Sequence, residues 1–164
     1  MKTVFFIRHA KSSWSDMSLK DFDRPLNKRG KRDAPMMAEK LQEMGVRPDA
    51  IVSSTANRAI TTAAHFAKAL GIAKGDIVRT PSIYEAYSST VLKIVQNQPN
   101  NWQTILVFGH NPAFTSIANS FEGDYIDNVP TCGIVKVTAD IDDWNDLNEK
   151  TGKVAEFYYP KQFL

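Results

Sequence analysis

Val4-Phe5-Phe6-Ile7-Arg8-His9-Ala10 is four β-branched or aromatic residues that stop at a charged pair, and Ile105-Leu106-Val107-Phe108-Gly109-His110-Asn111-Pro112 is a second apolar run that stops at a glycine and a histidine. Short apolar runs bounded by turn formers read as strands buried on both faces. In open α/β sheets ligands collect beyond the carboxyl ends of such strands. Two of the chain's three histidines therefore stand where a ligand is expected.

Working outward, Ala34, Met37, Ala38, Leu41 and Met44 recur at three- and four-residue steps and stop at Gly45, which predicts a helix with one apolar face. A short strand, Ala50-Ile51-Val52, follows. Ser53-Ser54-Thr55 supplies candidate N-caps for a helix from Ala56 to Leu70, closed by Gly71. A strand from Asp76 to Arg79, a helix from Ser89 to Gln98 before Pro99, and the strand Thr104 to Phe108 come next. Pro112 suits the first turn of a helix through Phe121. Gly133 to Ala139 and Val154 to Tyr159 alternate like strands exposed on one side, and the polar, acidic stretch between them reads as a loop or short surface helix.

Strand and helix thus alternate four times before two final strands. The pattern predicts an α/β three-layer sandwich, a mostly parallel sheet flanked by helices on both faces. No repeat, low-complexity tract or linker interrupts it, so a single domain over residues 1–164 is expected.

A chain of 164 residues with 43% apolar composition can bury a sizeable core. Twenty basic against eighteen acidic side chains leave a formal charge of +2, too even to favour nucleic acid, which needs a concentrated basic face. The single cysteine, Cys132, excludes an internal disulfide and a cysteine-based metal cluster, and reads as a small core residue. No run reaches the roughly 20 apolar residues of a membrane span, and no basic-then-apolar leader precedes the first strand, so the expectation is a cytoplasmic protein.

A neutral imidazole can attack phosphorus if its other ring nitrogen is held as a donor, and a guanidinium clamps nonbridging oxygens with its planar fork. His9 and Arg8 fit those two roles, although an exposed pair at a strand end would have the same sequence. Arg58, one turn into the helix after Val52, can point back over the same sheet edge, where the helix N-terminus also favours anions. His110 adds a donor at the other strand tip. Neither residue is distinctive alone: an ordinary solvated arginine and a backbone-bonded turn histidine would look the same.

Taken together, Arg8-His9-Ala10, Ser53-Ser54-Thr55-Ala56-Asn57-Arg58-Ala59 with Thr62 and Ala63, and Gly109-His110-Asn111, in this order, resemble the histidine phosphatases, the phosphoglycerate-mutase-like superfamily. The likeness runs from Met1 to about Val137. Arg24-Pro25-Leu26 followed by Gly30, Gly109-His110-Asn111-Pro112 and Val129-Pro130-Thr131-Cys132-Gly133 are similar to patterns of the SixA-type phosphohistidine phosphatases. The resemblance implies the phosphoglycerate-mutase-like fold and His9 as a transiently phosphorylated nucleophile. It implies Arg8, Arg58 and His110 as the phosphate pocket, and neither metal nor organic cofactor. Two guanidiniums and a histidine can supply the charge neutralisation that magnesium gives other phosphoryl-transfer enzymes.

Many superfamily members carry an acid after the third strand, and Glu85 stands in that region, as catalytic proton donor or as a surface carboxylate. SixA-type members commonly lack such an acid, and imidazole leaves phosphorus more easily than an alkoxide does. His65 lies within a helix away from the strand tips and reads as structural. Lys28-Arg29-Gly30-Lys31-Arg32 reads as a solvated helix start, with docking of an acidic partner as the alternative. Lys11, Ser12, Ser13 and Trp14 either border the substrate entrance or form a plain polar loop.

The expected activity is a metal-independent phosphatase acting through phosphohistidine, with a phosphorylated protein as substrate and partner. The alternatives are a small-molecule phosphomonoesterase or mutase of the same superfamily, and a non-catalytic phosphate-binding module. A flavodoxin-like nucleotide binder fits less well, because no Gly-rich loop follows the first strand.

Overall fold

A computed structural model describes all residues, 1–164. Its elements are β1 (Lys2–Arg8), α1 (Lys28–Glu43), β2 (Ala50–Ser53), α2 (Asn57–Leu70), β3 (Val78–Arg79), α3 (Ser88–Gln96), β4 (Thr104–Gly109), α4 (Ala113–Ser120), β5 (Ile134–Ala139) and β6 (Gly152–Tyr158). The strands form one sheet in the order β3-β2-β4-β1-β5-β6. Its first four strands are parallel, and β5 and β6 run antiparallel to their neighbours.

That order explains where the helices lie. From β1 through β2 to β3 the chain steps toward one edge, and from β3 to β4 it steps back. Right-handed crossovers therefore place α1 and α2 on one face and α3 on the other. The two apolar clusters record this division. Val4 and Phe6 of β1 and Ile105 and Val107 of β4 pack with Val91 and Val95 of α3 and Phe114 and Ile117 of α4. Phe5, Ile7, Leu106 and Phe108, their alternates along the same strands, pack with Met37 and Leu41 of α1 and Phe66 of α2. A three-layer sandwich results, and β1 and β4 are adjacent strands followed by helices on opposite faces. A crevice opens at such a reversal of strand order.

Several boundaries differ from those read in the sequence. α1 does begin at the polar run Lys28 to Arg32 read as a helix start, where Asn27 accepts a hydrogen bond from the Gly30 N–H. Ala56, without a side-chain cap, is the N-cap of α2, so Ser53 and Ser54 are free for other work. β3 shrinks to two residues behind a 3-10 turn at Lys74–Asp76. In the stretch expected to lie on the surface, Trp144 is fully buried and its Nε1–H donates to the Trp102 carbonyl.

Candidate active site

Parallel pairing of β1 with β4 sets Arg8 opposite Gly109, so the next residue of each strand, His9 and His110, stand side by side. The His9 N–H donates to the Gly109 carbonyl at 3.0 Å, and the two ring centroids are 5.2 Å apart. Arg8, His9, Arg58 and His110 line one cavity of about 220 Å³, with Lys11, Ser12, Trp14, Arg24, Asn111 and Thr131 completing its wall. Arg58 is delivered from the first turn of α2. Thr62, one turn further on, donates to the Arg58 carbonyl and accepts from the Ala10 N–H, tying that turn to the residue after His9.

The His9 tautomer follows from a single contact. Nδ1 lies 2.7 Å from the Ala10 carbonyl, which can only accept, so Nδ1 carries the proton and Nε2 keeps its lone pair. Burial, with the charges of His110, Arg58 and Arg8 acting in the same direction, lowers the His9 pKa to about 3. Burial likewise lowers His110 to about 4, helped by Arg58. Both rings are neutral at pH 7. His110 Nε2 lies 2.8 Å from Ser54 Oγ, which already accepts from the Ala56 N–H. The serine proton is thus free to go to Nε2, which leaves Nδ1–H of His110 as a donor.

Three buried nitrogens have no hydrogen-bond partner: Nε of Arg8, Nε of Arg58 and Nδ1 of His110. All three belong to residues of the one cavity. Buried donors are nearly always satisfied, and here the exceptions gather on the residues that bring two guanidiniums and two imidazoles to one hollow. Part of each guanidinium is held by protein. Arg8 Nη1 donates to the Val129 carbonyl at 3.0 Å, and Arg58 donates to the Asp21 carbonyl and to Asp21 Oδ2 at 2.7 and 3.0 Å. Asp21 also accepts from the Tyr84 hydroxyl and from Arg24. These bonds, Tyr84 foremost, hold its carboxyl at a pKa of about 2, below the usual range.

The family model described as histidine phosphatase superfamily (branch 1) matches residues 4–87. The chain belongs to the histidine phosphatase superfamily. An uncharacterized protein of Mycobacterium tuberculosis is 31% identical over 165 residues, spanning 94% of this chain and 100% of its own. A chloroplastic protein of Arabidopsis thaliana is 31% identical over 159 residues, 92% of this chain and 72% of that one. Among solved structures, a candidate phosphohistidine phosphatase SixA from Agrobacterium tumefaciens superposes with a TM-score of 0.82 at 29% identity, covering 97% of this chain and 98% of that one. A protein histidine phosphatase SixA solved with tungstate has the same TM-score at 22% identity, over 99% of each chain, and extends the likeness of fold.

In this histidine phosphatase the other residues singled out from the sequence lie as follows. Glu85 is exposed, has a positive φ of 58°, and is not among the residues lining the cavity. His65 is half-buried on α2, outside the cavity. Cys132 is buried, and its N–H, at 3.0 Å from both the Arg8 and His9 carbonyls, closes the 129–132 loop onto the β1 tip. The sequence gives no reason to place Asp21, Tyr84, Ser54 or Arg24 in the site. Ser54 enters the sequence reading as a helix cap and as part of a family motif, and Asp21 reaches Arg58 across 37 residues of sequence, which periodicity cannot show. No group of three or more His, Cys, Asp or Glu side chains is placed to hold a metal ion. No helix is long and apolar enough to cross a membrane.

Proposed function

We propose that this histidine phosphatase removes phosphoryl groups from phosphohistidine-bearing protein, with His9 as nucleophile and Arg8, Arg58 and His110 as the oxyanion clamp. The observation that carries the reading is a nucleophile facing a cationic, anion-sized hollow. His9 Nε2 is unprotonated, and Arg8, Arg58 and His110, whose side chains carry the three unpartnered nitrogens, line the same hollow. The Nε2 lone pair forms a bond to phosphorus as the bond from phosphorus to the leaving nitrogen breaks. The departing imidazole keeps that electron pair and takes a proton from solvent. Water then attacks the phosphorus on His9, the N–P pair returns to Nε2, and a water proton goes to solvent as phosphate leaves. In both steps the negative equatorial oxygens meet fixed cations and donors, which is the stabilisation phosphoryl transfer demands.

A phosphohistidine substrate is supported by the 29% identical Agrobacterium protein named for that activity and by the position of Glu85. An alkoxide leaving group gains roughly 10²- to 10⁴-fold from a positioned acid, and an exposed carboxylate outside the cavity is poorly placed to give it. Imidazole needs that help less. We place the reaction in the cytoplasm, in a protein of one domain.

The test is phosphate release from a phosphorylated histidine protein beside a panel of alkyl phosphate esters. Turnover of the phosphohistidine protein should exceed that of the esters, and Glu85→Gln should leave it within a factor of two. Preference for an alkyl ester, with a large loss in Glu85→Gln on that ester alone, would identify a small-molecule phosphomonoesterase instead. Phosphate binding with no release from any substrate would identify a binding module.

A further inference from the structure

The loop after His9 carries an aromatic side chain that the phosphate chemistry leaves unused. Nine of the ten residues around the catalytic cavity are polar or charged, and the single apolar one is Trp14. As a whole residue Trp14 is 64% exposed, unusual for a tryptophan. It is not loose, however. The Arg24 guanidinium lies over the ring, 3.5 Å from its centroid, so one face is occupied and the remaining exposure belongs to the other face and the edge.

The shelf beneath the indole is rigid because all three Arg24 nitrogens are engaged. Nε and Nη2 of Arg24 bond Asp21 Oδ1 at 3.1 Å each, and Nη1 donates to Ser12 Oγ at 2.7 Å and to the Ser13 carbonyl at 3.1 Å. Arg24 is itself buried. The segment that carries Trp14 is anchored at its base by the Ser12 to Leu26 bridge and by the Ser13 N–H bond to the Pro25 carbonyl. An arginine at an anion cavity whose three nitrogens are all committed elsewhere, and whose face is given to an indole, acts there by carrying the indole.

In-line displacement sends the leaving group away from His9 Nε2, out of the phosphate clamp and past the rest of the cavity wall. Of that wall only Trp14 offers a flat apolar surface. We propose that Trp14, backed by Arg24, is the platform on which a planar leaving group stacks, and that it selects aromatic nitrogen leaving groups such as the imidazole of phosphohistidine. The inference rests on the phosphatase reading and adds to it a specificity-determining residue. Stacking between a heteroaromatic ring and an aromatic side chain, removed by truncation, changes binding by about tenfold. A contact made with the leaving group through the transition state appears in kcat/KM.

The experiment compares phosphoimidazole with acetyl phosphate, which has an easily displaced leaving group but no ring. In Trp14→Leu the ratio of kcat/KM for phosphoimidazole to that for acetyl phosphate should fall about tenfold, and in Trp14→Phe it should stay within about threefold of the wild-type ratio. An unchanged ratio in Trp14→Leu, or an equal fall in both variants, overturns the platform while leaving the phosphatase intact. If the wild-type chain turns over neither compound, the phosphatase reading fails and the platform with it. A second measurement needs no change at Trp14. In His9→Ala, which on this reading cannot turn the ligand over, titration with phosphoimidazole should shift the Trp14 ring proton resonances. Absence of any shift at saturation also overturns the proposal.

Discussion

His9 owes its reactivity to where its two nitrogens point: Nδ1 is spent on the Ala10 carbonyl, and burial keeps the ring from picking up a second proton until pH falls to about 3. His110, held against Ser54, stays neutral down to about pH 4. An ordinary histidine would be mostly protonated at pH 5. Side-chain NMR of the two rings should therefore show no titration between pH 8 and pH 5, and a midpoint near 6.5 for either would contradict the geometry around it. Arg8, His9, Arg58 and His110 were legible at this scale because each sits at a fixed offset from a strand end or helix start. Asp21 and Tyr84 were not, since their meeting with Arg58 depends on how a loop folds back over the sheet edge. Glu85 shows the opposite case. Its place in the chain suggested an acid, but exposure depends on the turn taken after the Pro81–Ile83 3-10 segment.

Among elements, the first turn of α1 packs directly on the loop that leaves His9. Gly30 has no room for a side chain: a Cβ there would stand 2.1 Å from the Lys11 carbonyl oxygen, which also accepts from the Asn27 N–H. The neighbour is backbone, so it cannot swing aside. Gly30→Ala should destabilise the fold by about 1–3 kcal/mol, the usual cost of overpacking. Because Lys11 lines the cavity, the same change should also weaken competitive inhibition by inorganic phosphate. Chemical denaturation and inhibition measurements check the two effects, and full stability with unchanged inhibition would show that the helix is not pressed against this loop. Strands were the most legible elements, because β1 and β4 are apolar on both faces. The first turns of α1, which lack an apolar stripe, were legible from the polar run Lys28 to Arg32, whereas burial of Trp144 depends on neighbours outside its own segment.

Across the whole molecule, the two suppressed histidines couple catalysis to stability. Both have folded pKa values, about 3 and about 4, below the 6.5 of an unfolded histidine, so between those limits the unfolded chain binds more protons than the folded one. Their contribution is complete above pH 6.5 and is lost as pH falls, at up to about 1.4 kcal/mol per pH unit for each ring. Urea denaturation should show stability dropping by about 1.6 kcal/mol per histidine between pH 6.5 and pH 5. His9→Gln should remove about half of that dependence, and an identical slope in the variant would exclude His9 as a source. The three-layer order was legible from the alternation of strands and helices, whereas the position of β4 between β2 and β1 was fixed only by the structure. That position brings both imidazoles and both guanidiniums to one hollow. The decisive measurement is mass spectrometry, under neutral conditions, of the chain quenched during turnover of a phosphohistidine protein. A phosphoryl group on the His9 peptide, absent from His9→Ala, is the predicted result; phosphorylation elsewhere, or undiminished turnover by His9→Ala, would contradict it.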